Sequence, residues 1–590
     1  MPSFRTPGVY IEEISKLPAS VAPVSTAIPA FIGYTERRVR DREEIPLNTP
    51  VRITSLLEFE EIFGRPFSED FHITLTGDIA DSVIEIDPSG DENLSPYTLY
   101  YALQLFFQNG GGDCYVVSVG DYEDEPDLNS IDSDELLAGL NALETEDEPT
   151  LIVTPEAVYL NEADRGELYK QMLSQSARLK DRFTLLDVVE KQGQPLPDAD
   201  DFRESVGMDN LGYGAAYYPA LKTSILRYYS EDAVRVTDKR TPGGEGRFHG
   251  LSLGELSEGS RAVQGIITIH KTDALKDGGD LVEGVEIIIG GHTFVLDEPE
   301  AGETRFELED GDSEIDLADK LVDAINSVSD SEGYSAERKS GRAIIIVRST
   351  SGEDVDVPFT YTGPAEAISI SGEGEFGRVA PDKTLYNRIK KALDKKRLTL
   401  YPSAAMAGVY SRVDRDRGVW KAPANVSLNL VRDPSVLLTD DEQAPLNVDA
   451  DTGKSVNVIR RFNKRGTVVW GARTLAGNDN EWRFIPVRRL FIFIEESIRR
   501  ATEPVVFEPN DANTWTKTKA MIENFLEDLW REGALAGASP DEAFFVRTGL
   551  GQTMTSTDIL EGKMIVEIGI AAVRPAEFII LQFMHKLQES

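Results

Sequence analysis

A mixed α/β fold, α+β over the chain as a whole, follows from three features of the sequence. Between residues 27 and 240, short apolar runs alternate with helical stretches, the order of a largely parallel sheet layered with helices. From 245 to 376, β-prone runs dominate between two Gly-rich segments, TPGGEGR (241–247) and SGEGEFGR (371–378). From 380 onward the apolar patterning is densest. A chain of 590 residues exceeds what one hydrophobic core holds. We therefore expect four parts: an extended arm over 1–30, an α/β middle domain over 31–244, a β-rich outer insertion domain over 245–376, and a C-terminal domain over 377–590.

The arm carries Pro2, Pro7, Pro18, Pro23 and Pro29, a density that forbids a helix. Within it, Val9-Tyr10-Ile11 is β-prone and has no hairpin partner nearby, so it needs a sheet edge to join. Strands are expected at Ala27–Gly33, Tyr115–Val119, Leu151–Val153, Phe183–Val188 and Ala215–Tyr218. Helices fall between them, at Ser55–Phe63, Tyr97–Gln108 and Ala163–Leu179. Gly110-Gly111-Gly112 ends the second of these helices. The insertion holds strands at Val285–Ile289, Thr293–Leu296 and Ala343–Val347 and a helix near Asp316–Val328. Later, Trp515–Arg531 places Ile522, Phe525, Leu526, Leu529 and Trp530 on one helix face, with Asn513 or Thr514 as its cap and Gly533 just past its end. Further strands are expected at Ala543–Val546 and Met564–Val573. The final run PAEFIILQFMHKLQES alternates Phe578, Ile580 and Met584 with Ile579, Leu581 and Phe583, a strand that expects cover on both faces.

Charge narrows the function classes. Lys and Arg number 61 against 102 Asp and Glu, a net −41, which repels phosphate backbones and anionic lipid. Neither nucleic-acid binding nor direct membrane insertion is expected. No run of apolar residues is long enough to span a bilayer, and Glu12 and Glu13 stand where a signal peptide would be apolar. Cys114 is the single cysteine, so no intrachain disulfide and no Cys-rich zinc site can form. The usage fits synthesis in a reducing, cytoplasmic compartment. Twelve acids and no Lys or Arg lie between Asp121 and Glu148, the pattern of a solvated loop.

No catalytic or metal constellation emerges. Gly453-Lys454-Ser455 ends like a phosphate loop, but Val448 stands where that motif needs its first Gly, and the preceding stretch is polar; a surface turn is expected. Asn447, Asp449 and Asp451 open like a calcium loop, yet Val458 sits where the bidentate acid belongs. The five histidines, 72, 249, 270, 292 and 585, share no ligand spacing. Glu156 and Asp187 fall at strand ends, where α/β sheets place ligand crevices, but fold alone does not make a site. One segment reverses the sign: from Val456 to Arg500, ten cations face four acids. Two readings stay open. The segment is an internal ion-pair network, or Arg460, Arg461, Lys464, Arg465, Arg488 and Arg489 form a basic docking face for acidic neighbours.

Several long segments resemble contractile sheath proteins of phage tails and injection systems. They are TPGVYIEEI, STAIPAFIGYTE, FFQNGGGDCYVVSV, RRLFIFIEESIRRATEPVVFEPND and the TW after it, FLEDLWREGALAGASPDEAFFVR, TMTSTDILEG and PAEFI. The resemblance covers roughly 1–240 and 380–590 and leaves the insertion unexplained. It implies a structural subunit with no catalysis and no cofactor. Such subunits form six-membered rings stacked helically around an inner tube, between a baseplate and a terminal cap, and contract to drive the tube through a target envelope. It also implies a sheath-type inner domain over 377–590 with strand-donating termini: Pro7, Gly8, Val9, Tyr10 and Ile11 in the N-terminal arm, and Phe578, Ile579, Ile580 and Leu581 at the other end. On the helix Trp515–Arg531, the charges Lys517, Lys519, Glu523, Glu527, Asp528 and Arg531 are candidates for the tube contact, or for solvation and contact with another subunit. The mature location would be a phage tail or a tail-like particle. A non-contractile tail or baseplate component, and a nucleotide hydrolase built on Lys454, are the alternatives.

Overall fold

The computed structural model describes residues 21–77, 82–87, 94–123, 126–191, 193–240, 248–258 and 381–580. Within the insertion it describes 263–277, 280–282, 284–289, 292–296, 303–308, 312–328, 334–338, 343–349, 359–364 and 366–371.

The centre is an eight-stranded sheet built from β1 (Pro29–Thr35), β2 (Pro50–Ile53), β3 (Cys114–Asp121), β4 (Leu151–Val153), β5 (Phe183–Asp187), β6 (Gly214–Tyr218), β7 (Val456–Phe462) and β8 (Gly466–Val469). Across the sheet the order is β8-β7-β6-β5-β4-β1-β3-β2. Neighbours from β7 to β3 pair in parallel, and the outer pairs β7–β8 and β2–β3 are antiparallel. Every residue of β1, β4, β5 and β6 is buried, so the continuous apolar runs of the sequence are strands covered on both faces. The pleat splits them by parity. Phe31, Val116, Val153, Leu185 and Tyr217 enter one core, while Ala30, Ile32, Val117, Ile152, Leu186 and Tyr218 enter the other.

Helices that pack against this sheet include α1 (Leu99–Gln108), α2 (Glu162–Leu179) and α3 (Ser403–Arg417). Here α1 and α3 cross so closely that a Cβ at Gly408 would lie 2.4 Å from the Phe106 carbonyl oxygen, so only glycine fits. Strands and helices of the middle region lie within a few residues of their expected positions, since their apolar spacing is local information.

Two features cut across the expected division of the chain. Residues 456–469 supply β7 and β8, so the sheet of the middle region draws on sequence beyond 377. Leu221–Leu226 likewise pairs with Arg397–Leu400 and Val431–Pro434. At the other boundary, Phe248, Leu251, Leu253 and Leu256 pack with Phe71, Ile73, Val236, Leu385 and Ile389 rather than with the insertion. Among its described residues the insertion has two four-stranded sheets, the short pair Lys276–Asp277 and Asp280–Leu281, and the helix Glu314–Ser327, around a core of residues between 267 and 368.

The two long C-terminal helices are α4 (Ile485–Thr502) and α5 (Ala512–Arg531). On α5, Ile522, Phe525, Leu526 and Leu529 are buried against Leu490, Phe493 and Ile494 of α4, as the 3.6-residue spacing requires. Its cap is Asp511, whose carboxylate accepts the Asn513 and Thr514 amides at 3.0 Å; the sequence pointed two or three residues later. Gly533, at φ +87°, ends the helix in the left-handed conformation that glycine tolerates. A hairpin of Phe544–Arg547 and Glu567–Ile570 closes the described fold, the second strand shorter than expected.

Candidate functional site

The residues that hinted at chemistry are used structurally. Glu156 is fully buried after β4 and accepts the Tyr34 amide at 2.9 Å and the Thr98 and Leu99 amides at 2.8 and 2.9 Å. It therefore satisfies the free N–H groups at the start of α1. Asp187, at the end of β5, accepts the Ser403 amide at 2.8 Å and the Ser403 hydroxyl at 2.5 Å, doing the same for α3. Burial pushes both carboxyls up to about 7, against the pull of those donors. The strand ends that suggested a crevice are thus plugged by helix starts.

In the surface turn expected at Gly453-Lys454-Ser455, Lys454 and Ser455 are instead buried and Gly453 is half-buried. Lys454 is 3% exposed, and its ammonium donates to the Arg203 carbonyl. Burial, with the charge of Arg203 nearby, pulls that ammonium below its usual range. The segment leads into β7 rather than into a helix, so its backbone amides make no phosphate cradle. Among the described residues no cluster of His, Cys, Asp and Glu has the makings of a metal site.

The basic segment divides into an inner and an outer part. Arg489 is buried and pairs with Asp414 at 2.5 Å, and Arg473 pairs with Glu577 at 2.5 Å. Arg488 is buried too, its guanidinium carbon 3.5 Å from the centre of the Trp482 ring and 4.1 Å from that of Tyr213. Arg460 and Arg461 pair with Asp440 and Asp433 at 2.6 and 2.5 Å. Arg465 donates to Asn425 and lies over Phe462 and Trp470, while Lys464 is exposed at the β7–β8 turn. The six candidates therefore do not form one face: Arg488 and Arg489 lie inside, and the other four cluster around the end of the β7–β8 pair.

On α5, Lys517 is exposed, Lys519 pairs with Glu523 at 3.6 Å, and Arg531 pairs with Glu527 at 2.6 Å and Asp528 at 3.7 Å. All six lie off the buried stripe, so the helix offers a mixed-charge ridge. The N-terminal candidates Pro7–Ile11 lie outside the described residues, as does Leu581. Phe578, Ile579 and Ile580 lie outside any helix or strand and are 70%, 80% and 81% exposed. Just before them, Glu577 is clamped by Arg473 through two nitrogens and by Asn447 at 3.1 Å. The segment Pro575–Ile579 borders a groove of about 610 Å³ shared with Asn447, Trp470, Ala472 and Phe484. The hairpin Phe544–Arg547/Glu567–Ile570 stands as a two-stranded sheet among the described residues. An exposed apolar segment and a separate two-stranded sheet are thus both present among the described residues.

Sequence reasoning missed the Arg473–Glu577 clamp, whose partners are 104 positions apart, and the stacking of Arg488. The aromatic residues Tyr213 and Trp482 carry no local signal that one arginine joins them. Residues 477–585 match the family model of the phage tail sheath C-terminal domain. The tail sheath protein of Burkholderia phage BcepMu is 29% identical over 181 residues, 30% of this chain and 37% of that relative's length. Among solved structures, the helical sheath of the anti-feeding prophage in its contracted state is 27% identical, with a TM-score of 0.52 over 99% of this chain and 100% of that one. A chain of the 6-fold symmetrised anti-feeding prophage baseplate is also 27% identical, with a TM-score of 0.51 over 99% of this chain. The chain is similar to contractile sheath proteins along its whole length.

Proposed function

We propose that this chain is the structural subunit of a contractile sheath. It polymerises helically around an inner tube and contracts to drive that tube through a target envelope. The observation that carries this reading is the likeness over 99% of the chain to a contracted helical sheath. The subunits form six-membered rings stacked between a baseplate and a terminal cap, within a phage tail or tail-like particle. Each copy lends its terminal segments, Pro7–Ile11 and Phe578–Leu581, to the hairpin sheet of a neighbour. Contacts of that head-to-tail kind do not close, so they generate filaments. The ridge of Lys517, Lys519, Glu523, Glu527, Asp528 and Arg531 faces the tube, held by exposed ion pairs of roughly 0.2–1 kcal/mol each, weak enough to break together. Arg460, Arg461, Lys464 and Arg465 meet acidic surfaces of neighbouring copies. The chain works without a catalytic site or cofactor.

Negative-stain microscopy of the expressed full chain tests the reading: helical cylinders are expected, and shorter or absent cylinders when residues 1–14 are deleted. Discrete particles that never extend would refute it. The likeness to a baseplate chain supports a second reading, a fixed component at the end of a tail. That component would form closed rings and no cylinders.

A further inference from the structure

Arg488 differs from every other arginine in the basic segment. Arg460, Arg461, Arg465, Arg473, Arg483, Arg489, Arg499 and Arg500 each donate to a side-chain or backbone oxygen. Arg488 is 7% exposed, and its Nε is buried without a hydrogen-bond partner among the described residues. Its guanidinium instead lies between two half-buried rings, Trp482 at 3.5 Å and Tyr213 at 4.1 Å. The socket is built. Phe491 meets the Trp482 ring edge-on at 5.0 Å, the Trp482 carbonyl accepts the Thr474 hydroxyl at 2.7 Å, and Gly212 packs against it so closely that a Cβ there would touch the Trp482 Cβ at 3.4 Å and the arginine Nη2 at 3.7 Å.

Stacking satisfies the faces of a guanidinium but not its in-plane N–H donors. The Arg488 Nε is buried and without a hydrogen-bond partner, which costs free energy in the isolated subunit. That cost is already met before any ligand arrives, and the fork is fixed between two rings, so an incoming carboxylate would gain a paired, pre-organised contact. Glu495, Glu481 and Asp479 act on the guanidinium through their charge without reaching ion-pair distance.

We propose that Arg488, held between Trp482 and Tyr213, is a socket for a carboxylate from a second copy of this chain. Charge complementarity selects that occupant. With 102 Asp and Glu against 61 Lys and Arg, a neighbouring copy carries a net −41 and has more carboxylates than cations to offer. The proposal rests on the helical polymerisation of the sheath reading and adds a specific contact to it.

The test compares the full-length wild type with R488Q and R488K for subunit melting temperature and for the concentration at which cylinders form. R488Q is expected to melt within a few degrees of wild type yet to need at least about tenfold more protein to assemble, about 1.4 kcal/mol per contact. In cylinders of R488K made from mixed isotope-labelled and unlabelled subunits, zero-length carbodiimide cross-linking should join position 488 to an Asp or Glu of the other copy. Wild-type cylinders with unchanged R488Q assembly would overturn the socket alone, as would a cross-link only to Glu495 of the same chain or to a different protein. Stabilisation of the isolated wild type, but not R488Q, by sulfate or phosphate would likewise overturn it in favour of a small free anion. A wild type that forms no cylinders would overturn the assembly reading and the socket with it.

Discussion

Replacing Glu577 by alanine releases the base of the C-terminal segment from the body of the subunit. Arg473 is 5% exposed and Glu577 23%, and they share a two-nitrogen contact at 2.9 and 2.5 Å. Asn447 adds a third bond to the same carboxylate at 3.1 Å. Breaking a fully buried pair costs about 3–5 kcal/mol. This carboxylate keeps some water, and Arg473 retains the Asn447 carbonyl at 3.2 Å, so about 1.5–3 kcal/mol is the better figure for E577A. The loss is local. It falls on the stretch where Ala571 donates to Ala543 at 2.8 Å and Val573 to Ala534 at 3.2 Å. A change of that size raises the opening constant about 10- to 150-fold. Hydrogen-exchange mass spectrometry of peptides over 571–580 should show a comparable acceleration, with the helix Ala512–Arg531 unaffected. R473A should give the same acceleration, and the double variant should add little more. Unchanged exchange in E577A, or fully additive effects, would show that the clamp does not hold this segment.

The fold makes three other predictions. Because burial raises Glu156 and Asp187 to about 7, the folded chain holds protons that the unfolded chain has released; their contribution is full below about pH 4 and is lost as pH rises through about 7. D187N can keep both Ser403 bonds, with its amide donating to the hydroxyl, so its melting temperature should fall less than wild type's between about pH 5.5 and 8; an unchanged pH slope would remove the assignment. Replacing 263–371 by a short Gly/Ser linker should leave the subunit folded and assembling, whereas starting the replacement at 248 removes Phe248 and Leu251 from the core around Phe71 and should lower the melting temperature sharply. Reversing both Glu527 and Asp528 to Lys should shorten tube-templated cylinders in a salt-dependent way without changing circular dichroism, because both lie off the buried stripe of α5.

What the sequence revealed and what it hid have physical causes. Strands such as Phe183–Asp187 were legible because they are apolar on both faces, and Ala512–Arg531 because one face repeats at helical spacing. The strand Val456–Phe462 was not, since Arg460 and Arg461 mask it and its partner Gly214–Tyr218 lies some 240 residues away. Lys454 read as a turn because the polar run before it hides the buried Arg203 that it meets. The acidic strand ends read as ligand positions, and only the three-dimensional path of the chain brings helix starts onto Glu156 and Asp187. Of the candidate assembly residues, type and exposure were readable for α5. The separation of Arg488 and Arg489 from the outer arginines was not, because charge alone does not say which side of a helix faces the core.

The measurement that bears most directly on contraction is the length and diameter of purified particles in electron micrographs before and after a mild destabilising trigger. A contractile sheath predicts long, narrow cylinders around a tube that convert, in one cooperative step, to shorter and wider hollow cylinders with the tube exposed. Particles whose length and diameter stay fixed until the subunits unfold would contradict it.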